Sequence, residues 1–495
     1  MKKAKTFLIN SSILIFTSII TKIMCSLFDI YIANKIGSET LGIFSLISSI
    51  YLVGITFCSS GINFATTKII SEELEKDANV NTKQILKISS LYSLITGTFS
   101  AIILISFAKY ISSNILNHMI PPYIISILAT SLPFISLSLS LSSYFLAKRN
   151  VLSSSINQIV TAITRIVVIF ITLNVFTKDI SSSILSLVLG TTISEVISLI
   201  MHYLIFLLER KNIHQSHAKP KNISKRILSI AVPIAITSYI RSGLHSIKHI
   251  LIPLRLKLTG ISYETSLANY GLINGMAFPV IMFGSVFIYS FSTLLIPEFS
   301  RYSVNKNKKE MSKDINKLFK VTLSYSIGIA GLLIFYGNDL GNIIYSNTNA
   351  GYYIKLLAPL IPLIYLDNVV DNILKGLGKQ INVMICNIFD MVISIAFIYF
   401  LLPKFGVIGY IIVLYISETL NYVISVNTLF KHTEIEFKYL EWIIIPILCI
   451  LFSIFASNIF AISIYGKITV TFLSYTLFLI TFNSKSNCIY STTML

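Results

Sequence analysis

The stretch from Ser224 to Leu256 reads SKRILSIAVPIAITSYIRSGLHSIKHILIPLRL. It is long and apolar enough for a helix that crosses a bilayer, yet Arg241, His245, Lys248, His249 and Arg255 fall along it. At a helical pitch, offsets of 4, 7, 8 and 14 from Arg241 gather these residues on one side, about 120° wide. Pro233 and Pro253 bracket the stripe and are positioned to bend the helix. A cation facing hydrocarbon near the bilayer centre costs roughly 2.5–3.5 kcal/mol on the insertion scale. The stripe therefore predicts a hydrated cavity inside the protein, with a positive wall suited to an anion.

The rest of the chain is built for a membrane. Of 495 residues, 54% are hydrophobic and 12% charged, and the mean hydropathy is +0.78. Soluble domains carry about 25% charged residues, so a soluble globule is excluded. The net charge of +18 reads as basic cytoplasmic loops against anionic lipid heads, not as a nucleic-acid surface, because no base-reading module accompanies it. The five cysteines form no C-x-x-C pair, and four lie in apolar segments, so neither a disulfide set nor a metal site is expected. The lysines at positions 2, 3 and 5 precede an apolar run too long for a signal peptide, and a retained first span is expected.

Apolar segments of spanning length recur at 7–28, 41–65, 85–110, 123–147, 152–176, 183–208, 227–252, 269–296, 318–337, 356–377, 382–402, 407–430, 440–460 and 464–482. That makes an all-α polytopic protein of about fourteen transmembrane helices. Loop charges test the count. With loops and flanking turns taken together, 27 of the 39 Lys and Arg fall on the side of the N-terminus and 8 on the other. The remaining four are Lys22, Arg165, Arg241 and Lys248, inside spans. The bias predicts cytoplasmic N- and C-termini. No loop holds a catalytic domain or a G-x-x-x-x-G-K-[ST] phosphate loop, so no enzyme activity, cofactor or ATPase is expected.

The two halves echo each other at an offset near 230 residues. Gly42 matches Gly271, Pro133 matches Pro362, Lys148 matches Lys379, Ser194-Glu195 matches Ser417-Glu418, and Lys22 matches Lys248. Six spans per unit is an even number, which makes the two lobes parallel, with substrate held between them. The expected domains are residues 1–210 and 211–432, six helices each, and 433–495, two further helices and a tail. The first and seventh helices are the expected cleft walls, with Lys22 opposite Lys248.

Two sets of intramembrane residues are candidates for chemistry. Lys22, Arg241, His245 and Lys248 suit a phosphate or pyrophosphate, since Arg offers a planar fork and Lys a mobile charge; the bland reading is snorkelling and local pairing. Asp367 and Asp371, one turn apart, with Glu195 and Glu418 at matching places in the two lobes, suit Na⁺ or a proton; the bland reading is neutralisation of Arg165 or Lys375. Ser and Leu alternate from Ser136 to Ser143. That pattern favours close helix packing, with a polar lining as the alternative.

The Lys-rich start, the loop Ala33-Asn34-Lys35-Ile36-Gly37 with Glu39-Thr40-Leu41-Gly42, the 6 + 6 + 2 plan and the cationic seventh helix resemble the multidrug/oligosaccharidyl-lipid/polysaccharide (MOP) exporter superfamily. Within it they are most similar to the polysaccharide-biosynthesis flippases of the stage V sporulation kind. The resemblance implies an alternating-access flippase carrying a polyprenyl-pyrophosphate-linked saccharide, such as a precursor for spore cortex peptidoglycan. It implies lipid-linked saccharide and cell-wall synthesis enzymes as partners, and Na⁺, H⁺ or membrane potential as the drive. Lys22, Arg241 and Lys248 are the positions that match the basic cleft of the related flippases. A multidrug/cation antiporter of the same superfamily is the alternative, although it calls for an acidic cavity. A membrane-embedded polyprenyl-sugar enzyme calls for a clustered acid/base or metal loop that the outer loops lack.

Overall fold

In the computed structural model, residues 2–492 are described, apart from 60, 77–81, 177–178, 211–221, 306–307, 432, 434, 436 and 461–462. The side chains of the N-terminal lysines and most of the basic loop after Glu209 lie outside the described residues. The described chain is helical throughout. Twelve helical stretches among the described residues are long and apolar enough to cross a membrane. Two of them, Phe16–Glu75 and Gln380–Phe430, have 60 and 51 residues, against about 20 for one crossing. Each is interrupted by a glycine with left-handed backbone, Gly37 (φ 76°) and Gly406 (φ 59°). Each is thus long enough for two passes, which gives room for the expected fourteen among the described residues. Large apolar side chains such as Phe99, Ile102, Phe400 and Phe455 are exposed, as a lipid-facing surface requires.

The chain divides into two compact units, Met1–Leu254 and Arg255–Leu495. The first holds α1 (Lys2–Ser59), α2 (Ile62–Lys76), α3 (Thr82–Tyr110), α4 (Pro122–Ala129), α5 (Ser131–Ala147), α6 (Val151–Phe176), α7 (Ile180–Arg210) and most of α8 (Ile223–Leu256). The second holds α9 (Tyr263–Gly271), α10 (Phe278–Phe283), α11 (Ser285–Asn305), α12 (Lys308–Tyr345), α13 (Thr348–Leu357), α14 (Ile361–Gly376), α15 (Gln380–Phe430), α16 (Ile445–Phe460) and α17 (Ile464–Thr492).

This division falls one helix later than the sequence boundary at 210/211, and the reason is packing. Ile223, Ile227 and Ala231 of α8 join a buried cluster with Ile62, Ile69, Leu86 and Phe145. Arg226 donates to Glu73 at 2.7 Å and to Glu72 at 2.9 Å on α2. Further along, the Tyr239 ring stacks on Phe57, with centroids 4.2 Å apart. The α8 helix runs unbroken through both of its prolines. The eighth span also starts earlier than hydropathy suggests, at Tyr263, because the Ser262 hydroxyl accepts from the Thr265 N–H at 3.1 Å and caps the helix.

The repeat is visible in local geometry. The fourth span is interrupted between α4 and α5 at Thr130, and the tenth between α13 and α14 at residues 358–360. Pro133 and Pro362 each follow the break within the first turn of the new helix, where a missing N–H is harmless. Both spans then end in one turn. Lys148, Arg149 and Asn150 donate backbone N–H groups to Tyr144, Leu146 and Phe145; Leu377, Gly378 and Lys379 donate to Ile373, Lys375 and Leu374. Every partner is shifted by 229, and the left-handed residue is Arg149 (φ 60°) in one copy and Gly378 (φ 75°) in the other. The pattern is a Schellman cap. It corrects one match: Lys379 corresponds to Asn150, and Lys148 to Leu377. A Cβ at Gly378 meets nothing within 4 Å, so only the backbone resists it. Gly378→Ala is expected to cost about 1 kcal/mol, read as a lower thermal midpoint in detergent; an unchanged midpoint would contradict the strain.

Candidate functional site

The α8 cations occupy one strip beside the face that packs on the first unit. Ser242 and Ser246 are buried on the packed face, and Ser246 and Ile250 line a crevice with Ile50, Val53 and Phe57 of α1. Arg241 is exposed, and His245, Lys248 and His249 are half-buried. The two imidazoles lie one turn apart with their planes tilted by 45°, centroids 4.3 Å apart and Nε2 atoms at 3.2 Å. One ring therefore donates to the other, which orients the pair. Arg255, at the end of the stripe, is drawn away; its guanidinium lies 3.4 Å from the centroid of the Tyr399 ring, a cation–π contact.

Lys22 is placed elsewhere. It lines a cavity of about 390 Å³ inside the first unit with Asp29 of α1, Arg165 of α6 and Thr191 of α7. None of the α8 cations lines that cavity. Lys22 and Arg165 both attract the Asp29 carboxylate, and Arg165 pairs with Glu195 at 3.5 Å. Glu195 thus pairs with Arg165, and the group holds two acidic and two basic side chains. Lys22 belongs to a mixed-charge chamber, while Arg241, His245 and Lys248 form the cationic strip.

A second cavity, of about 630 Å³, shares Ser18, Thr21, Cys25, Gln158 and Arg165 with the first, so the two lie side by side along α1 and α6. Its wall explains the Ser–Leu alternation. Residues four apart share a face: Ser138 and Ser142 line the cavity, while the Ser140 hydroxyl lies 3.0 Å from that of Ser89 on α3. The alternation serves both readings, one on each side of α5. The same wall carries Asn157 and His202, polar residues in apolar spans. Applying to them the rule that singled out Lys22 would have found them in the sequence.

In the second unit, Asp367 and Asp371 do share a face of α14. Asn421 donates to Asp367 Oδ2 at 2.9 Å, and Ser417 donates to Asp390 at 2.6 Å. Asp371, Glu418 and Asp390 are all near enough to repel the Asp367 carboxylate, whereas Lys375 attracts Asp371. Asp367 Oδ1, Asp371 Oδ1 and Asn421 Oδ1 are buried without a partner among the described residues. No group of three or more His, Cys, Asp or Glu poised for a metal ion occurs among the described residues.

Residues 7–303 match the model of the family described as polysaccharide biosynthesis protein, and residues 264–400 match MatE. The chain is 23% identical over 450 residues to stage V sporulation protein B of Bacillus subtilis (strain 168), covering 88% of this chain and 86% of that protein. It is 18% identical over 377 residues to sporulation protein YkvU of the same organism, covering 75% and 83%. Among solved structures, its fold is similar to that of lipid II flippase MurJ in an inward closed conformation, with a TM-score of 0.68 at 15% identity over 98% of this chain and 100% of that one. It is also similar to an inward-facing MATE family transporter of the MOP superfamily, with a TM-score of 0.64 at 13% identity over 83% and 95%. The family match alone spans more than half of the chain and decides the assignment: the chain belongs to the polysaccharide biosynthesis protein family, and its multi-pass helical fold is like that of MurJ and the MATE family transporter.

Proposed function

We propose that the protein is a flippase for a polyprenyl-pyrophosphate-linked saccharide, a cell-wall or polysaccharide precursor, in the bacterial plasma membrane with both termini cytoplasmic. The cationic strip of Arg241, His245 and Lys248 on α8 carries this reading. A pyrophosphate cannot enter hydrocarbon unaided, because desolvating an ion costs many kcal/mol. Two fixed cations and an oriented imidazole replace part of its hydration, while the polyprenyl tail stays in lipid. The relatives support the choice of cargo: a sporulation protein in sequence, and a lipid II flippase in fold. Cell-wall synthesis enzymes are the partners this cargo implies. The test is flipping of a labelled polyprenyl-pyrophosphate saccharide by the purified protein in vesicles; no flipping above protein-free vesicles rejects the reading.

The carboxylates of the second unit suit the coupling ion. Asp367 is crowded by Asp371, Glu418 and Asp390, and buried charge is costly without a partner. A proton or Na⁺ on this group offsets the repulsion. Asp367→Asn and Asp371→Asn are expected to shift the Na⁺ midpoint of flipping at least tenfold, or its pH midpoint by about one unit, a differential interaction near 1.4 kcal/mol. If neither dependence moves, the carboxylates are structural.

A further inference from the structure

We infer that the larger cavity of the first unit binds an uncharged sugar ring, through Asn157, His202 and the hydroxyls of Ser138 and Ser198. The inference rests on the lipid-linked saccharide reading and adds a place for the sugar, apart from the cationic strip. Asn157 and His202 are 5% and 4% exposed, and both line the cavity of about 630 Å³, inside the 300–1,000 Å³ range typical of small-molecule sites.

Their hydrogen bonds form a chain that stops short at both ends. Asn157 Nδ2 donates to Ser198 Oγ at 2.8 Å. Ser198 Oγ lies 2.8 Å from Ser138 Oγ, which lies 2.8 Å from His202 Nδ1. Asn157 Oδ1, at one end, and His202 Nε2, at the other, have no partner among the described residues; nor does Arg165 Nε on the same wall. Native proteins rarely leave buried polar atoms unmatched, and each mismatch costs about 1–3 kcal/mol.

The orphans are of mixed type. Asn157 Oδ1 only accepts, Arg165 Nε only donates, and an imidazole nitrogen does either according to its tautomer. Groups that both donate and accept fit such a wall, and sugar hydroxyls and an N-acetyl amide are of that kind. A phosphate is a poor fit. It only accepts, and Glu195 and Asp29 stand with Arg165 and Lys22, so the positive charge is not unopposed. His202 is held in place by stacking on Phe145, with centroids 5.9 Å apart and planes at 20°, and by Ser138.

The test compares two probes on the full-length protein in nanodiscs: a polyprenyl pyrophosphate bearing N-acetylglucosamine, and the same lipid without the sugar. Wild type is expected to bind the sugar-bearing lipid at least tenfold more tightly. Asn157→Leu with His202→Phe should abolish that preference and leave affinity for the bare lipid within twofold, which also reports folding. Wild type alone supplies a second readout. Cys25 is on the cavity wall, so the sugar-bearing lipid, and not the bare one, should slow its alkylation by a small thiol reagent. Equal binding of the two lipids by wild type, retention of the preference in the variant, or equal protection of Cys25 overturns this site while leaving the cargo reading intact. Binding of neither lipid rejects the cargo reading and this site with it.

Discussion

The double substitution Arg241→Ala, Lys248→Ala is expected to reduce flipping of a polyprenyl-pyrophosphate saccharide at least a hundredfold while the protein still folds and inserts. A hydrogen bond to a charged group contributes about 1.5–3 kcal/mol, so losing two amounts to roughly 3–6 kcal/mol, or two to four orders of magnitude in affinity. Folding survives because neither side chain is in the buried cluster that holds α8. That cluster uses Ile223, Ile227 and Ala231 near the start of the helix, and Arg241 is exposed. Arg241→Lys and Lys248→Arg keep the charge and should each retain more activity than the alanine change at the same position. The measurement is flipping of labelled substrate in vesicles at matched protein density. Undiminished flipping in the double variant removes the strip from the mechanism. A gain in export of a cationic drug would favour the antiporter alternative, since removing positive charge eases entry of a cation.

Much of this architecture is legible in the sequence for a simple reason: a bilayer enforces spans of fixed length and a sidedness of charge. The expected fourteen passes follow from those two rules. The glycine breaks at Gly37 and Gly406 occur in the loops that hydropathy placed between spans. What resisted reading is what depends on contacts distant in sequence. Periodicity shows that Arg241, His245 and Lys248 share a side of α8, but not that the helix packs on α2 and α3. That depends on Ile227 and Ala231 finding Ile69 and Leu86, and on Arg226 meeting Glu72 and Glu73. Lys22 shows the same limit. Its match to Lys248 in the repeat suggested a shared wall, yet Asp29 and Arg165, brought close by the packing of α1 on α6, draw it into a different chamber. The repeat offset itself was blurred by relying on residue identity. Leu377 and Lys148 are chemically unlike, and only the hydrogen-bond pattern of the turn pairs them.

Gly61→Ala is expected to be the most damaging single methyl that can be added to the first unit. Gly61 stands at the start of α2 with φ 81°, a conformation that costs an L-residue roughly 1–2 kcal/mol. The larger obstacle is space. A Cβ there comes within 2.2 Å of the Ala231 carbonyl oxygen and 2.8 Å of its carbonyl carbon and Cα. These are backbone atoms of α8, so no rotamer change relieves the clash. Relief needs a shift of about 1 Å, enough to restore a normal contact distance, and that shift pries Ala231 and Ile227 out of the cluster they share with Ile62 and Phe145. Strain, lost packing and a loosened Arg226 clamp together put the cost on the order of 3–5 kcal/mol, in the range diagnostic of backbone and core disruption. Gly243, on the same α8, is the matched control, because a Cβ there meets nothing within 4 Å. Gly243→Ala should stabilise the helix by about 0.5–1 kcal/mol. Thermal unfolding in detergent, with recovery of folded protein from membranes as a second readout, separates the two: a large loss for position 61 and a small gain for position 243. If Gly61→Ala melts like wild type, α8 does not sit against the turn into α2, and its inclusion in the first unit is wrong.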